Sequence, residues 1–151
     1  MILLKEYESL EDVLQHIKVQ VNDSIEFAGE FCPTFSDPES LFYWLHDRVK
    51  YVSDPTTIEL IMTMKTMMSG DRTGIRGGGD CDDFTITGLA CLISQGFDIN
   101  NIVLVGNNRR TPVHIFCETF HEGDWYSFDL TNAEYNFERP YKYRQSLPFG
   151  V

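Results

Sequence analysis

Apolar residues recur at helical spacing along the first part of the chain, and the period shortens after Gly96. Helices are therefore expected first and strands later. Ser9 opens a helix with Leu10, Val13, Leu14 and Ile17 on one face, and Asp12 is a weak capping-box partner. From Val21 to Pro33 the signals are mixed, and no element is assigned there. Asp37-Pro38 starts a second helix, with Asp as N-cap and Pro at the first helical position. Leu41, Phe42, Leu45 and Val49 follow on its apolar face. Thr57 caps a third helix carrying Leu60, Met64 and Met67, which closes at Ser69-Gly70. A polar, glycine-rich loop from Asp71 to Asp80 then leads straight into Cys81 and a helical pattern of Phe84, Leu89, Leu92 and Ile93.

Past Gly96, the β-branched run Ile102 to Val105 predicts a strand, as do Val113 to Phe120 and Trp125 to Leu130. His121-Glu122-Gly123-Asp124 between the last two predicts a hairpin with Glu-Gly as the tight pair. The tail from Thr131 to Val151 is rich in Tyr, Pro and Arg, and residues 132–151 are expected to be irregular. This order is that of an α+β protein, not of a doubly wound parallel sheet. One domain over residues 1–151 is expected, with its core at about 37–131.

Composition narrows the function classes. The chain has 23 acidic and 12 basic residues, a formal net charge of −11, which disfavours nucleic-acid binding and attraction to anionic membranes. The most apolar stretch, Ile58 to Met68, is interrupted by Glu59 and Lys65 and is too short to span a bilayer. Met1-Ile2-Leu3-Leu4-Lys5-Glu6 has no basic n-region, so a cytoplasmic location is expected. Cys32, Cys81, Cys91 and Cys117 match no zinc spacing and read as free thiols. No metal or cofactor is expected.

Cys81 stands out among them. It follows three glycines at a predicted helix N-terminus, where unpaired N–H groups and the dipole favour a thiolate. Its own N–H can point at a developing oxyanion. Asp82 and Asp83 cap the helix but oppose a thiolate, so a counter-charge is needed. Cys91 and Cys117 read as core residues, and Cys32 is uninformative.

The hairpin serves as a ruler. With Glu122-Gly123 as a two-residue turn, Phe116 faces Asp129 and His114 faces Thr131. His114 and Asp129 then share a face as diagonal neighbours, roughly 7–8 Å apart at the backbone. A carboxylate so placed can orient an imidazole that activates a nucleophile. A one-residue bulge would turn them to opposite faces. Glu118, on the same face, is a rival partner for His114. Structural readings stand beside these: a half-buried, hydrogen-bonded strand histidine and a strand-ending aspartate.

Three stretches together resemble the transglutaminase-like superfamily, a branch of the papain-like fold. Phe42-Tyr43-Trp44-Leu45 leads to Val49-Lys50-Tyr51-Val52, and Gly79-Asp80-Cys81-Asp82-Asp83-Phe84 looks like the nucleophile motif. Val113-His114-Ile115-Phe116-Cys117-Glu118 and Trp125-Tyr126-Ser127-Phe128-Asp129-Leu130-Thr131 look like the histidine and closing motifs. The resemblance implies a nucleophile at a helix N-terminus packed on an antiparallel sheet, with Cys81 as nucleophile, His114 as base and acid, and Asp129 as orienting residue. It implies amide chemistry on a peptide or protein through a thioester, resolved by water or an amine. Trp44 and Tyr51 are candidates for the second oxyanion donor, beside core packing for both. The extra β domains and calcium sites of large tissue transglutaminases have no counterpart here. Small members also occur in bacteriophage and mobile elements, which brings virion association and a silent, partner-binding role into view. For that role Arg139-Pro140-Tyr141-Lys142-Tyr143-Arg144 is the candidate segment.

Overall fold

The helix that begins at Cys81 has no polar face. Every residue from Cys81 to Leu92 is buried, so this helix must be surrounded. A computed structural model, describing residues 10–53 and 61–150, shows what surrounds it. In chain order the elements are α1 (Leu10–Asn22), α2 (Ile25–Phe31), α3 (Pro38–His46), β1 (Lys50–Tyr51), α4 (Met64–Ser69) and β2 (Gly78–Gly79). Then come α5 (Cys81–Ser94), β3 (Asn100–Gly106), β4 (His114–His121), β5 (Asp124–Phe128) and β6 (Tyr143–Phe149). Helices α1 to α4 pack around α5, and β4 packs against its remaining side. The order is α+β, as expected.

The four-stranded sheet runs β5-β4-β3-β6 and is antiparallel throughout. Ile115, Cys117 and Phe128 face α5 and join its core. Val103, Val105 and Phe116 form a smaller cluster with Tyr141 packed on it. Gly88 is where the helix meets the sheet most closely. A Cβ there would come within 3.2 Å of the Phe128 ring and 3.3 Å of Cys117 Sγ.

Several local expectations are met with small shifts. Asp37 caps α3 by accepting from Ser40 N, with Pro38 in the first turn. The third helix ends at Ser69 with Gly70 in the left-handed region, φ 76°. Its described start is Met64, capped by Thr63; Thr57 and Leu60 lie outside the described residues, as does Ser9. The unassigned stretch holds α2, a helix of 7 residues. It is anchored through Ser24, whose hydroxyl donates to Gln20 O and accepts from Met64 N. The core also takes in Val13, Ile17, Val21, Ala28 and Phe149, beyond the 37–131 span.

The tail departs from expectation. Residues 143–149 form β6, paired with β3 from Tyr143↔Gly106 to Phe149↔Asn100. Polar residues and Pro148 mask this strand in the sequence. Its partner lies far back along the chain, and as an edge strand it tolerates a proline.

The glycines before Cys81 have a steric cause. Gly77 has φ 76°, and a Cβ there would lie 2.0 Å from the Arg48 carbonyl oxygen. This close approach lets β1 pair in parallel with β2, Lys50↔Gly78 and Tyr51↔Gly79. The chain accommodated by Gly77 is therefore its own.

Candidate active site

Cys81 is the first residue of α5. The turn before it is fixed by a reciprocal capping box. Asp80 Oδ1 accepts from Asp82 N at 3.2 Å, and Asp83 Oδ2 accepts from Asp80 N at 3.1 Å. Asp83 Oδ1 also accepts from Met62 N at 3.1 Å, which ties the approach to α4 to the same turn. Of the two aspartates expected to cap the helix, Asp83 does so, while its partner in the capping box is Asp80 and not Asp82; the electrostatics at Cys81 differ as well. Cys81 is 2% exposed. Burial first, then the charges of Asp82 and Asp80, push its thiol up to about 12. Cys81 therefore rests as a neutral thiol at neutral pH.

His114 opens β4, and its Nε2 donates to Asp129 Oδ2 at 2.7 Å. The hairpin ruler holds: His121 pairs with Asp124 and Cys117 with Phe128, with no bulge. Glu122 and Gly123 both have positive φ, 50° and 89°, the type I′ geometry of a two-residue turn. Asp129 is itself held on both oxygens. Oδ1 accepts from Thr131 N (3.0 Å) and Thr131 Oγ1 (2.7 Å), while Oδ2 also accepts from Asn132 Nδ2 (3.2 Å). The carboxylate is 5% exposed and cannot swing away without breaking these bonds. Because an ionised carboxylate only accepts, the His114 proton sits on Nε2 and leaves Nδ1 as the basic nitrogen.

Helix and hairpin meet through Thr85, one turn along α5. Its hydroxyl donates to Cys81 O at 2.7 Å and lies 3.3 Å from Ile115 O, the residue after His114. This backbone junction sets the Cys81 end of α5 against the His114 end of β4. Thr85 and Asn132 carry no signal of their own in the sequence, whereas Thr131 closes the last motif. Only the Asp-x-Thr pattern, typical of a side-chain turn, signals the last group.

The other candidates separate clearly. Glu118, the rival for His114, accepts instead from Arg144 Nη2 (2.5 Å) and Asn101 Nδ2 (3.0 Å). Cys117 Sγ is buried and turned to Phe128 O at 3.4 Å, and Cys91 is wholly buried. Trp44 packs with Phe31 and Phe35 under the Arg48 guanidinium, 3.9 Å from its ring centre, so it is structural. Tyr51 is half exposed, edge-on to Phe84 and paired with Gly79 next to the turn before Cys81. A surface cleft of about 500 Å³ opens beyond Asp129, lined by Thr131, Asn132, Ala133, Glu134, Phe137 and Arg139. No helix among the described residues is long and apolar enough to cross a membrane.

Comparison with known proteins agrees at the level of fold. No protein-family model and no curated protein matches the sequence. The chain is similar in structure to "a Putative Cysteine Protease from Cytophaga hutchinsonii", with a TM-score of 0.51 and 18% identity. The match covers 80% of this chain and 42% of that one, so the chain spans less than half the length of its structural neighbour. The architecture is thus α+β with a distant cysteine-protease-like fold.

Proposed function

We propose that the protein is a cysteine-dependent amide-bond enzyme of the transglutaminase-like type, with Cys81 as nucleophile, His114 as base and acid, and Asp129 as orienting group. The observation that carries this reading is the part-buried His114–Asp129 hydrogen bond, whose carboxylate is itself buried and fixed by three further donors. A strand histidine with a merely structural role does not require its partner to be so constrained.

Because the Cys81 thiol is neutral at rest, deprotonation accompanies attack instead of preceding it. The thiol proton moves to His114 Nδ1 as the sulfur–carbon bond forms at the amide carbonyl. The Cys81 N–H, at the helix start, faces the oxyanion. Collapse breaks the carbon–nitrogen bond, and the leaving amine takes the proton from His114. Water then attacks the thioester with His114 as base, releasing the acid and restoring the thiol. An amine in place of water would give transglutamination; hydrolysis of a peptide or protein amide is the reading preferred here.

The burial of Cys81 favours a second reading, a silent member of the same fold that binds a partner. Tyr141 packs back on the sheet, so such binding through the tail would use the exposed Arg139, Pro140 and Lys142.

Incubation with a peptide-amide library, followed by intact mass spectrometry after acid quench, distinguishes the two. The enzyme reading requires hydroxylamine-sensitive acyl adducts on Cys81, absent in Cys81→Ser and lost in His114→Ala. No adduct and no cleavage, with the protein folded, would establish the silent reading.

A further inference from the structure

Two thiols outside the candidate active site face each other in the interior. Cys32 Sγ and Cys91 Sγ are 3.3 Å apart. Cys32 is the C-cap of α2, and Cys91 lies within α5. We propose that Cys32 and Cys91 are a site of reversible oxidation, which closes an intramolecular disulfide when the protein meets a hydroperoxide.

The sulfurs need to approach by only about 1.3 Å to reach bonding distance. The chain around Cys32 is already held against the helix that carries Cys91. Gln95 Nε2 donates to Pro33 O at 2.6 Å, and its Oε1 accepts from Phe35 N at 2.8 Å. Cys32 N bonds to Ala28 O at 3.0 Å. This clamp spans the connector directly after Cys32, so little backbone movement is needed. Met64 Sδ also lies near Cys91, at 3.7 Å, but a thioether cannot form a disulfide.

The two thiols have different roles. Cys91 is wholly buried, while Cys32 keeps 8% of its surface exposed. The hydrogen bond from Cys91, together with the Arg48 charge, holds the Cys32 thiol below its ordinary value despite burial. Cys32 is therefore the sulfur that meets the oxidant. Its thiolate attacks the peroxide: a sulfur–oxygen bond forms, the oxygen–oxygen bond breaks, and the leaving oxygen takes a proton. The product is a sulfenic acid. Cys91 sulfur then attacks Cys32 sulfur; the sulfur–sulfur bond forms, the sulfur–oxygen bond breaks, and water leaves with the Cys91 proton. Two thiols are oxidised, and one peroxide is reduced to water and an alcohol, or to two waters.

The cross-link would close a loop over a separation of 59 positions. That loop contains the nucleophile turn at Cys81, so oxidation ties down the support of the candidate site. Constraint of the unfolded chain is expected to raise Tm on the order of 10 °C. The proposal does not depend on Cys81 chemistry and stands even if the protein proves catalytically silent.

The test uses the full chain, fully reduced, in wild type and in Cys81→Ser. Each is treated with stoichiometric hydrogen peroxide, then denatured and alkylated. The expected product is two hydrogens lighter, accepts two alkyl groups instead of four in wild type and one instead of three in Cys81→Ser, and yields a linked Cys32–Cys91 peptide. Dithiothreitol should reverse it, and Cys32→Ser should not form it. Alkylation of all four thiols, a linkage between other cysteines, or Cys32 oxidised without a link in wild type would each overturn the proposal. Because wild-type mapping alone decides it, poor folding of the variant does not obscure the result.

Discussion

The imidazole of His114 reaches Asp129 through Nε2, at 2.7 Å, and this choice determines which ring nitrogen can take a proton. With Nε2–H committed to the carboxylate, Nδ1 is the only basic position. Asp129→Asn should reverse this. The amide can still accept from Thr131 through its oxygen, but its NH₂ now donates to Nε2 and moves the ring proton to Nδ1. We expect a loss of turnover of about 10²- to 10⁴-fold, and a loss of stability of about 1–3 kcal/mol because the new NH₂ meets the Asn132 donor. Nitrogen-15 spectra of the histidine ring should show the tautomer change directly; an unchanged tautomer would contradict the assignment.

Cys81 should alkylate slowly in the native protein near pH 7 and faster as pH rises. Its folded pKa, about 12, lies above that of an unfolded thiol. The resulting stabilisation is present below the unfolded value of ~8.5 and is lost as pH rises toward the folded one. At full extent this amounts to roughly 5 kcal/mol. Cys81→Ser should therefore flatten the fall in stability across that alkaline window. Asp82→Asn removes the larger of the two opposing charges and should move the alkylation profile to lower pH. An unmoved profile would mean that burial alone sets the value.

Gly88 is a packing position. A valine there must push into Phe128 and Cys117, which lie 3.2 and 3.3 Å from the added carbon. Gly88→Val should destabilise by about 1–3 kcal/mol, read as a lower denaturant midpoint at constant m. Activity, where present, should fall as well, because Phe128 precedes Asp129.

Arg144 joins β6 to the rest of the sheet. It donates to the buried Glu118 and, through Nε at 2.7 Å, to Glu138, which in turn accepts from Ser127 Oγ at 2.6 Å. Although burial raises the Glu138 carboxyl, the bonds from Arg144 and Ser127 hold it below its ordinary value. The contribution of Glu138 is thus present above its unfolded value, ~4.3, and is lost as pH falls through the lower folded value. The protection factors of the β6 amides, taken relative to the intrinsic exchange rate at each pH, should fall on acidification. Arg144→Met should cost about 2 kcal/mol by leaving Glu118 with Asn101 alone. Unchanged β6 exchange in that variant would show that the backbone ladder alone holds the strand.

The hairpin turn offers a gain. Glu122 has φ 50°, a region that Asn tolerates better. Glu122→Asn should stabilise by about 0.5 kcal/mol, visible as a higher melting temperature.

Much of the site was legible because it depends on short-range rules. The Gly-Asp-Cys start of α5 shows itself through caps, and the two-residue turn at Glu122-Gly123 sets a register that carries to His114 and Asp129. Long-range pairing is not encoded so locally. β6 becomes a strand because β3 offers an edge, and no alternation in Tyr143 to Phe149 announces this. The high pKa of Cys81 was also hidden, because helix position argues for a thiolate while burial and two carboxylates argue against it, and only the fold weighs them. The glycines before Cys81 allow close approach of either backbone or substrate; at Gly77 it is the carbonyl of Arg48 that approaches.

The pairing of β3 with β6 also has a temporal side. During synthesis β3, β4 and β5 emerge in succession and can pair at once, each with its neighbour in sequence. The outer edge of β3 has no such companion until residues 143–149 leave the ribosome. For that interval the nascent chain carries an open strand rich in Ile102, Val103, Leu104 and Val105, a template for pairing with other chains. Stalled or truncated translation products of this protein should therefore be far more prone to aggregate than the finished chain.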